Sequence, residues 1–124
     1  MILDTDVIIE VLRGNRRTSS WVKERWAAGD TLHYSPVTRA EVRSGARPAE
    51  RATIAALFGS MQALPIEAST GDLAGDQLRR YARSHGVQLG DALIAAAALE
   101  HGQQLATFNR RHFPGVAKLA APDR

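Results

Sequence analysis

Short apolar stretches that suit strands alternate with longer stretches that suit helices along this chain, and that alternation limits the architecture more than any other feature. A strand that returns through a helix to its neighbour runs parallel to it. A parallel sheet has to be covered by helices on both faces. The expected fold class is therefore α/β, with a parallel sheet of four or five strands.

The elements follow from local chemistry. Met1 to Asp4 reads as a very short buried strand ending in an acid, and Val7 to Leu12 as a short helix stopped at Gly14. Thr18-Ser19-Ser20 is expected to cap a helix that carries Trp21, Val22 and Trp26 to one side and ends at Gly29. Thr31 to Tyr34 alternates like a strand. Ser35-Pro36 is a helix start, with a hydroxyl cap and proline at the first helical position, and that helix ends near Gly45. Ile54, Leu57, Phe58 and Met61 lie at helical spacing on one face. Leu64 to Glu67 is strand-like. Ser69 or Thr70 is expected to cap a helix with Ala74, Leu78, Tyr81 and Ala82 inward, ending at Gly86. Gly90-Asp91 opens the most apolar helix, Ala92 to Glu100, which has apolar residues all round and should be buried. Gln104 to Thr107 is a clear strand, and Val116 to Leu119 an edge strand.

The chain of 124 residues reads as one domain over 1–124, long enough to hold together by a core alone. It has no cysteine, which excludes a disulfide scaffold, a thiolate metal site and a cysteine nucleophile. Any metal site must use Asp, Glu, Asn and His. The longest apolar run, Ala92 to Leu99, is too short to span a bilayer, so no membrane association is expected. Asp4, Asp6 and Glu10 break the pattern of a signal peptide, and the cytoplasm is the expected location. The net charge is +3, and all cations but Lys23 and Lys118 are arginine. Arginine suits bidentate contact with phosphate, although a GC-rich genome also raises its frequency.

In an open α/β sheet, functional residues gather at the carboxyl ends of the strands. Asp4 ends the first strand with Asp6 close by, Glu41 lies in the helix after the second, Asp91 starts the buried helix, and Asn109 follows the strand ending at Thr107. Each has a plainer reading: Asp4 and Asp91 as helix caps, Glu41 as half of a Thr38-x-x-Glu41 capping pair, Asn109 as a turn residue. Their joint placement is the signal. Carboxylates converging on one cleft repel, a divalent cation resolves the repulsion, and all-oxygen ligands suit Mg²⁺ or Mn²⁺. Such an ion at a carboxylate cluster serves phosphate chemistry.

At these residues the chain resembles the PIN-domain nucleases. The opening Met1-Ile2-Leu3-Asp4-Thr5-Asp6-Val7-Ile8-Ile9 looks like their first motif, and Ser35-Pro36-Val37-Thr38-Arg39-Ala40-Glu41-Val42 with Gly45 like their second. Gly90-Asp91-Ala92-Leu93-Ile94-Ala95-Ala96-Ala97-Ala98 resembles the third, and Leu105-Ala106-Thr107-Phe108-Asn109-Arg110-Arg111-His112-Phe113 the fourth. So compact a domain is similar to the VapC-type toxins of toxin–antitoxin pairs. The resemblance implies a three-layer α/β/α sandwich and Mg²⁺-dependent endoribonuclease activity, with Mn²⁺ able to substitute. It implies a homodimer neutralised by a small antitoxin, with DNA contacted only through that antitoxin. Asp4, Glu41 and Asp91 match the family's acids, Asp4 and Asp91 the metal positions, and Thr107 a supporting hydroxyl. Many members carry Asp at the fourth acidic position, where this chain has Asn109, which can offer a carbonyl oxygen and no charge.

The implied reaction is hydrolysis of an RNA phosphodiester, with Glu41 orienting the attacking water and Arg39, Arg43, Arg110 and Arg111 holding flanking phosphates. His112 is a less favoured candidate for protonating the leaving group. One of Trp21 and Trp26 is expected to face a groove for the antitoxin or a second subunit. Two rivals stand beside this reading. A haloacid-dehalogenase-like phosphatase would use Asp4 as nucleophile and need a lysine beside the phosphate, and neither Lys23 nor Lys118 has a suitable context. A non-catalytic interaction module would use the same acids as structural caps and bind no divalent ion.

Overall fold

The computed structural model describes residues Met1–Arg124. Five short strands, β1 (Ile2–Leu3), β2 (His33–Tyr34), β3 (Gln62–Ala63), β4 (Leu105–Ala106) and β5 (Leu119–Ala120), form one sheet in the order β3-β2-β1-β4-β5. Every pairing is parallel, with Ile2 opposite both His33 and Leu105. Six helices connect them: α1 (Thr5–Leu12), α2 (Arg16–Ala27), α3 (Pro36–Ser44), α4 (Arg51–Gly59), α5 (Ala68–His85) and α6 (Leu89–Glu100).

The period-two geometry of a strand divides the core. Leu3 and Ala106 point to one face and pack with Val7, Ile8, Val42, Ile54 and Phe58 of α1, α3 and α4. Their neighbours Ile2 and Leu105 point to the other, against Ile94, Ala95, Ala97 and Ala98 of α6. A third cluster joins α5 to α6 through Ala74, Ala92 and Ala96. The layers are therefore α1–α4, the sheet, and α5–α6, which is the expected α/β/α sandwich. Helix α6 is buried along most of its length because alanine on every side lets α5 and the sheet approach it closely.

Several boundaries differ from the sequence reading, each for a local reason. Helix α2 starts at Arg16, capped by Asn15, whose Oδ1 accepts from Thr18 N at 3.2 Å; Thr18-Ser19-Ser20 lies inside the helix. Strand β3 is Gln62–Ala63 and stops before Leu64–Glu67, since Pro65 has no N–H to give a ladder. Helix α5 takes Glu67 as its cap, and Thr70 instead accepts from Glu67 N at 3.0 Å and donates to Glu100 at 2.7 Å. The edge strand is Leu119–Ala120, because Val116 N is spent on a turn to Phe113 O at 3.1 Å. Ala82, read as inward, is exposed, while Trp26 is 64% exposed and Trp21 half-buried. Helix α3 begins as read, with Ser35 Oγ accepting from Val37 N at 3.2 Å.

The chain leaves β1 toward β2 and β3 on one side, then returns to place β4 on the other side of β1. The carboxyl ends of β1 and β4 thus flank the point where strand order reverses, and ligands bind open α/β sheets outside such a point. No helix is long and apolar enough to cross a membrane.

Candidate active site at the carboxyl ends of β1 and β4

Asp4 directly follows β1 and is only 7% exposed. Its Oδ1 accepts from Thr5 N at 2.7 Å and its Oδ2 from the hydroxyl of Thr107 at 2.7 Å. Thr107 directly follows β4 and is fully buried, so the parallel β1–β4 pair sets these two side chains side by side. Asp6, on the first turn of α1, turns toward the same place: its Oδ2 accepts from Phe108 N at 3.2 Å and lies 3.5 Å from the Thr107 hydroxyl. Its Oδ1 is buried with no hydrogen-bond partner.

Two carboxyls packed together out of water resist losing both protons. Burial first, and then the neighbouring charge of Asp6, push the Asp4 carboxyl up to about 7, against the hydrogen bonds from Thr107 and Thr5. Asp91 bears on Asp4 in the same direction, which brings α6 into the same electrostatic site. Burial also raises Asp6, against hydrogen bonds led by that from Phe108 N.

Thr5 links this pair to α3. Its hydroxyl is 2.9 Å from the Thr38 hydroxyl and donates to Glu41 Oε1 at 3.2 Å. Thr38 is fully buried and bonds to Thr5, so the Thr38-x-x-Glu41 capping pair does not form and Ser35 caps the helix. Glu41 is exposed and reaches over Gly90: a Cβ at Gly90 would sit 3.5 Å from Glu41 Oε1 and 3.4 Å from Val37. The bare backbone there lets α3 and α6 meet beside Asp91.

Asp91 is the third residue of α6 and accepts from Gln88 N through Oδ2 at 3.1 Å, a capping bond. The same oxygen lies 3.3 Å from Nδ1 of His112, which is 2.9 Å from Asn109 Nδ2. Asn109 N in turn donates to the Thr107 hydroxyl at 2.9 Å. A continuous polar path therefore runs from Asp4 through Thr107, Asn109 and His112 to Asp91. The sequence had named every residue on this path, with His112 only as a less favoured proton donor; it missed the parts played by Thr5 and Thr38, whose buried hydroxyls give no periodic signal.

The four candidate arginines separate. Arg110 and Arg111 are exposed on the 3₁₀ turn beside Asn109 and have no carboxylate partner. Arg39 donates to Tyr34 OH at 2.9 Å and lies over the Phe58 ring, and with Arg43 and Arg51 it lines a small hollow between α3 and α4. Two residues along a helix is a rotation of about 200°, so neither Arg39 nor Arg43 shares the face of Glu41. Trp26 lines a different hollow with Asp30, Thr31 and Gln62, at the amino ends of β2 and β3 and across the sheet from the acids.

The donor set suits a hard divalent cation. All its atoms are oxygens, one of them is buried without a partner, and the raised carboxyls would be relieved by a positive charge. No three acidic or histidine side chains gather into a ready-made cage. Mg²⁺ is suited to that, since it uses one or two carboxylates and leaves its other positions to water and phosphate.

Comparisons with known proteins agree with this geometry. The family model described as PIN domain matches residues 1–119. The chain is 40% identical to Ribonuclease VapC10 of Mycobacterium tuberculosis, over 98% of this chain and 92% of that one. Among solved structures it is similar to a toxin–antitoxin complex from Klebsiella pneumoniae, with TM-score 0.78 and 26% identity over 98% of this chain and 96% of that one. The DNA-bound VapBC of Salmonella typhimurium shares the fold, with TM-score 0.79 and 22% identity over 96% of this chain and 95% of that one. An Asp4–Asp6–Thr107 cluster at the switch point of a five-stranded parallel sheet, a family match over nearly the whole chain, and a close ribonuclease relative lead to one assignment: the chain belongs to the PIN-domain family, in its VapC branch.

Proposed function

We propose that this chain is a Mg²⁺-dependent endoribonuclease, with Mn²⁺ able to substitute, that acts in the cytoplasm as the toxin of a toxin–antitoxin pair. The observation that carries the reading is the pairing of buried Asp4 with half-buried Asp6, held by Thr107, with Asp91 of α6 adding to the same electrostatic site. Asp4 and Asp91 would hold the ion, with Asp6 supporting Asp4. When bound, the ion supplies a Lewis acid for the scissile phosphate and neutralises charge that develops on it. Glu41, exposed and fixed by Thr5, orients a water for in-line attack. Thr107 keeps Asp4 aimed into the cleft. Arg110 and Arg111 hold phosphates that flank the one being cut. The partner that silences the activity is a small antitoxin, which also makes any contact with DNA, and the active unit is a homodimer.

The test is to purify the chain without a partner, incubate it with RNA and sequence the cut ends. Cleavage should require Mg²⁺ or Mn²⁺, stop in EDTA, and vanish in Asp4→Asn and Asp91→Asn proteins that still melt cooperatively. Cleavage surviving in either purified variant sinks the assignment.

A further inference from the structure

Beyond β5 the chain does not drift off into solvent. Pro122 is buried, and Asp123 O accepts a 2.8 Å hydrogen bond from the hydroxyl of the fully buried Thr18. Residues 121–124 are thereby fastened beside α2. The Arg124 guanidinium lies 4.8 Å from the centroid of the Phe108 ring and 3.7 Å from Glu10 Oε1. Phe108 is the residue whose N–H holds Asp6, and it directly follows Thr107, which holds Asp4. Arg124 is also near enough to Asp6 to work against the rise of its carboxyl. A segment far from the acids in sequence thus delivers a cation to the rim of the acidic site.

That cation is loosely ion-paired with Glu10, and none of its N–H groups makes a hydrogen bond. At 3.7 Å the contact with Glu10 is longer than a hydrogen bond. Glu10 is already held by Asn15 Nδ2 at 2.9 Å and Arg13 at 3.4 Å. A guanidinium lying over an aromatic ring can still offer N–H groups to a planar, bidentate anion. The Arg124 side chain is 62% exposed, so those groups are open to solvent. A polyanion approaching Asp4, Asp6, Glu10, Glu41 and Asp91 meets repulsion, and Arg39 and Arg43 stand on the wrong face of α3 to offset it.

We propose that Arg124 binds a backbone phosphate of the RNA next to the one that is cut, and so positions the strand across the acids. This rests on the ribonuclease reading. Arg124 touches substrate without taking part in bond making, so its loss should weaken binding and spare turnover.

The test compares wild type, Arg124→Ala, Arg124→Lys and a distant charge control, Lys23→Ala, using a labelled single-stranded RNA oligonucleotide. Anisotropy in EDTA gives Kd at several salt concentrations, and kinetics with Mg²⁺ give kcat and KM. For Arg124→Ala, Kd and KM should rise about fivefold while kcat stays within about twofold, and the slope of log Kd against log salt should shrink by roughly one phosphate contact. Arg124→Lys should recover part of the affinity, and Lys23→Ala should match wild type. An unchanged Kd, or a weaker Kd with an unchanged salt slope, overturns the proposal, since a merely structural role would not remove an ionic contact. If wild type binds the oligonucleotide without cutting it, the ribonuclease reading fails and the binding comparison still decides Arg124. If wild type cuts and Arg124→Ala binds equally well, only the Arg124 proposal fails; if wild type binds no RNA, both fail.

Discussion

The hydroxyl of Thr107 donates to Oδ2 of Asp4 at 2.7 Å, across 103 residues of sequence. Both side chains are buried, and each stands at the end of its own strand. The bond joins the two halves of the site.

Thr107→Val keeps the shape and removes the donor. Asp4 then faces Asp6 with one hydrogen bond fewer, and Asn109 N loses its acceptor. The expected cost is about 1–3 kcal/mol, together with a smaller rise in melting temperature on adding Mn²⁺. Thr107→Ser should recover most of both. Thermal melts with and without Mn²⁺ decide it, and a valine variant that matches wild type in both would remove Thr107 from the site.

The raised Asp4 carboxyl makes stability depend on pH. Its folded value near 7 lies above the ordinary 3.8 of an aspartate, so between those values the native state binds more protons than the unfolded one. The native state is therefore favoured below pH 3.8, and that advantage is lost as pH rises through 7. Between pH 5 and 8 the metal-free protein should lose on the order of 2 kcal/mol. Asp4→Asn should flatten the profile, and so should Mn²⁺. Denaturant titrations at several pH values measure this, and a wild-type profile as flat as that of Asp4→Asn would contradict it.

Asn109→Asp places a further carboxylate on the path to Asp91. Without metal the added repulsion should lower stability by on the order of 1 kcal/mol, and the melting temperature with it. With Mn²⁺ the stabilising shift should exceed that of wild type, because binding to the native state is favoured. Asn109→Ala should lose its contact with His112 and show a reduced shift. If the Asp variant changes neither melt, Asn109 is a turn residue only.

Trp26→Ala and Phe58→Ala form a contrasting pair. Phe58 is 1% exposed and stacks on Tyr34 at 4.6 Å between ring centroids. Its truncation should cost about 3–5 kcal/mol. Trp26 is 64% exposed, and its truncation should change stability by less than about 0.5 kcal/mol. Chemical denaturation of both variants checks the order. A Trp26 variant that melts like the Phe58 variant would place that ring in the core.

The alternation of elements was legible because each rests on local chemistry: proline after a capping serine at Ser35-Pro36, apolar residues at helical spacing around Phe58, unbroken alanine in α6. The acids at strand ends and helix starts were legible for the same reason, since a strand end is where an open sheet exposes its chemistry. Boundaries slipped where a side chain had two uses. Thr18 and Thr70 look like caps, yet their hydroxyls serve Asp123 and Glu100, far along the chain. Of Trp21 and Trp26 the sequence could not say which ring is exposed, because helical phase alone does not say which side meets the core; Trp26 is the exposed one.

By itself the sequence determined the parallel α/β architecture, the three strand-end and helix-start acids, and the absence of any sulfur ligand. Only the tertiary structure decided that Asp6 meets Asp4 at the Thr107 hydroxyl, that Thr5 and Thr38 tie Glu41 to them, and that His112 reaches Asp91. It alone brought Arg124 to these acids. The physical reason is that period and capping report the few residues on either side of a position. Burial, repulsion between carboxyls and unbonded N–H groups depend on which strands pair, and that pairing joins residues about a hundred positions apart.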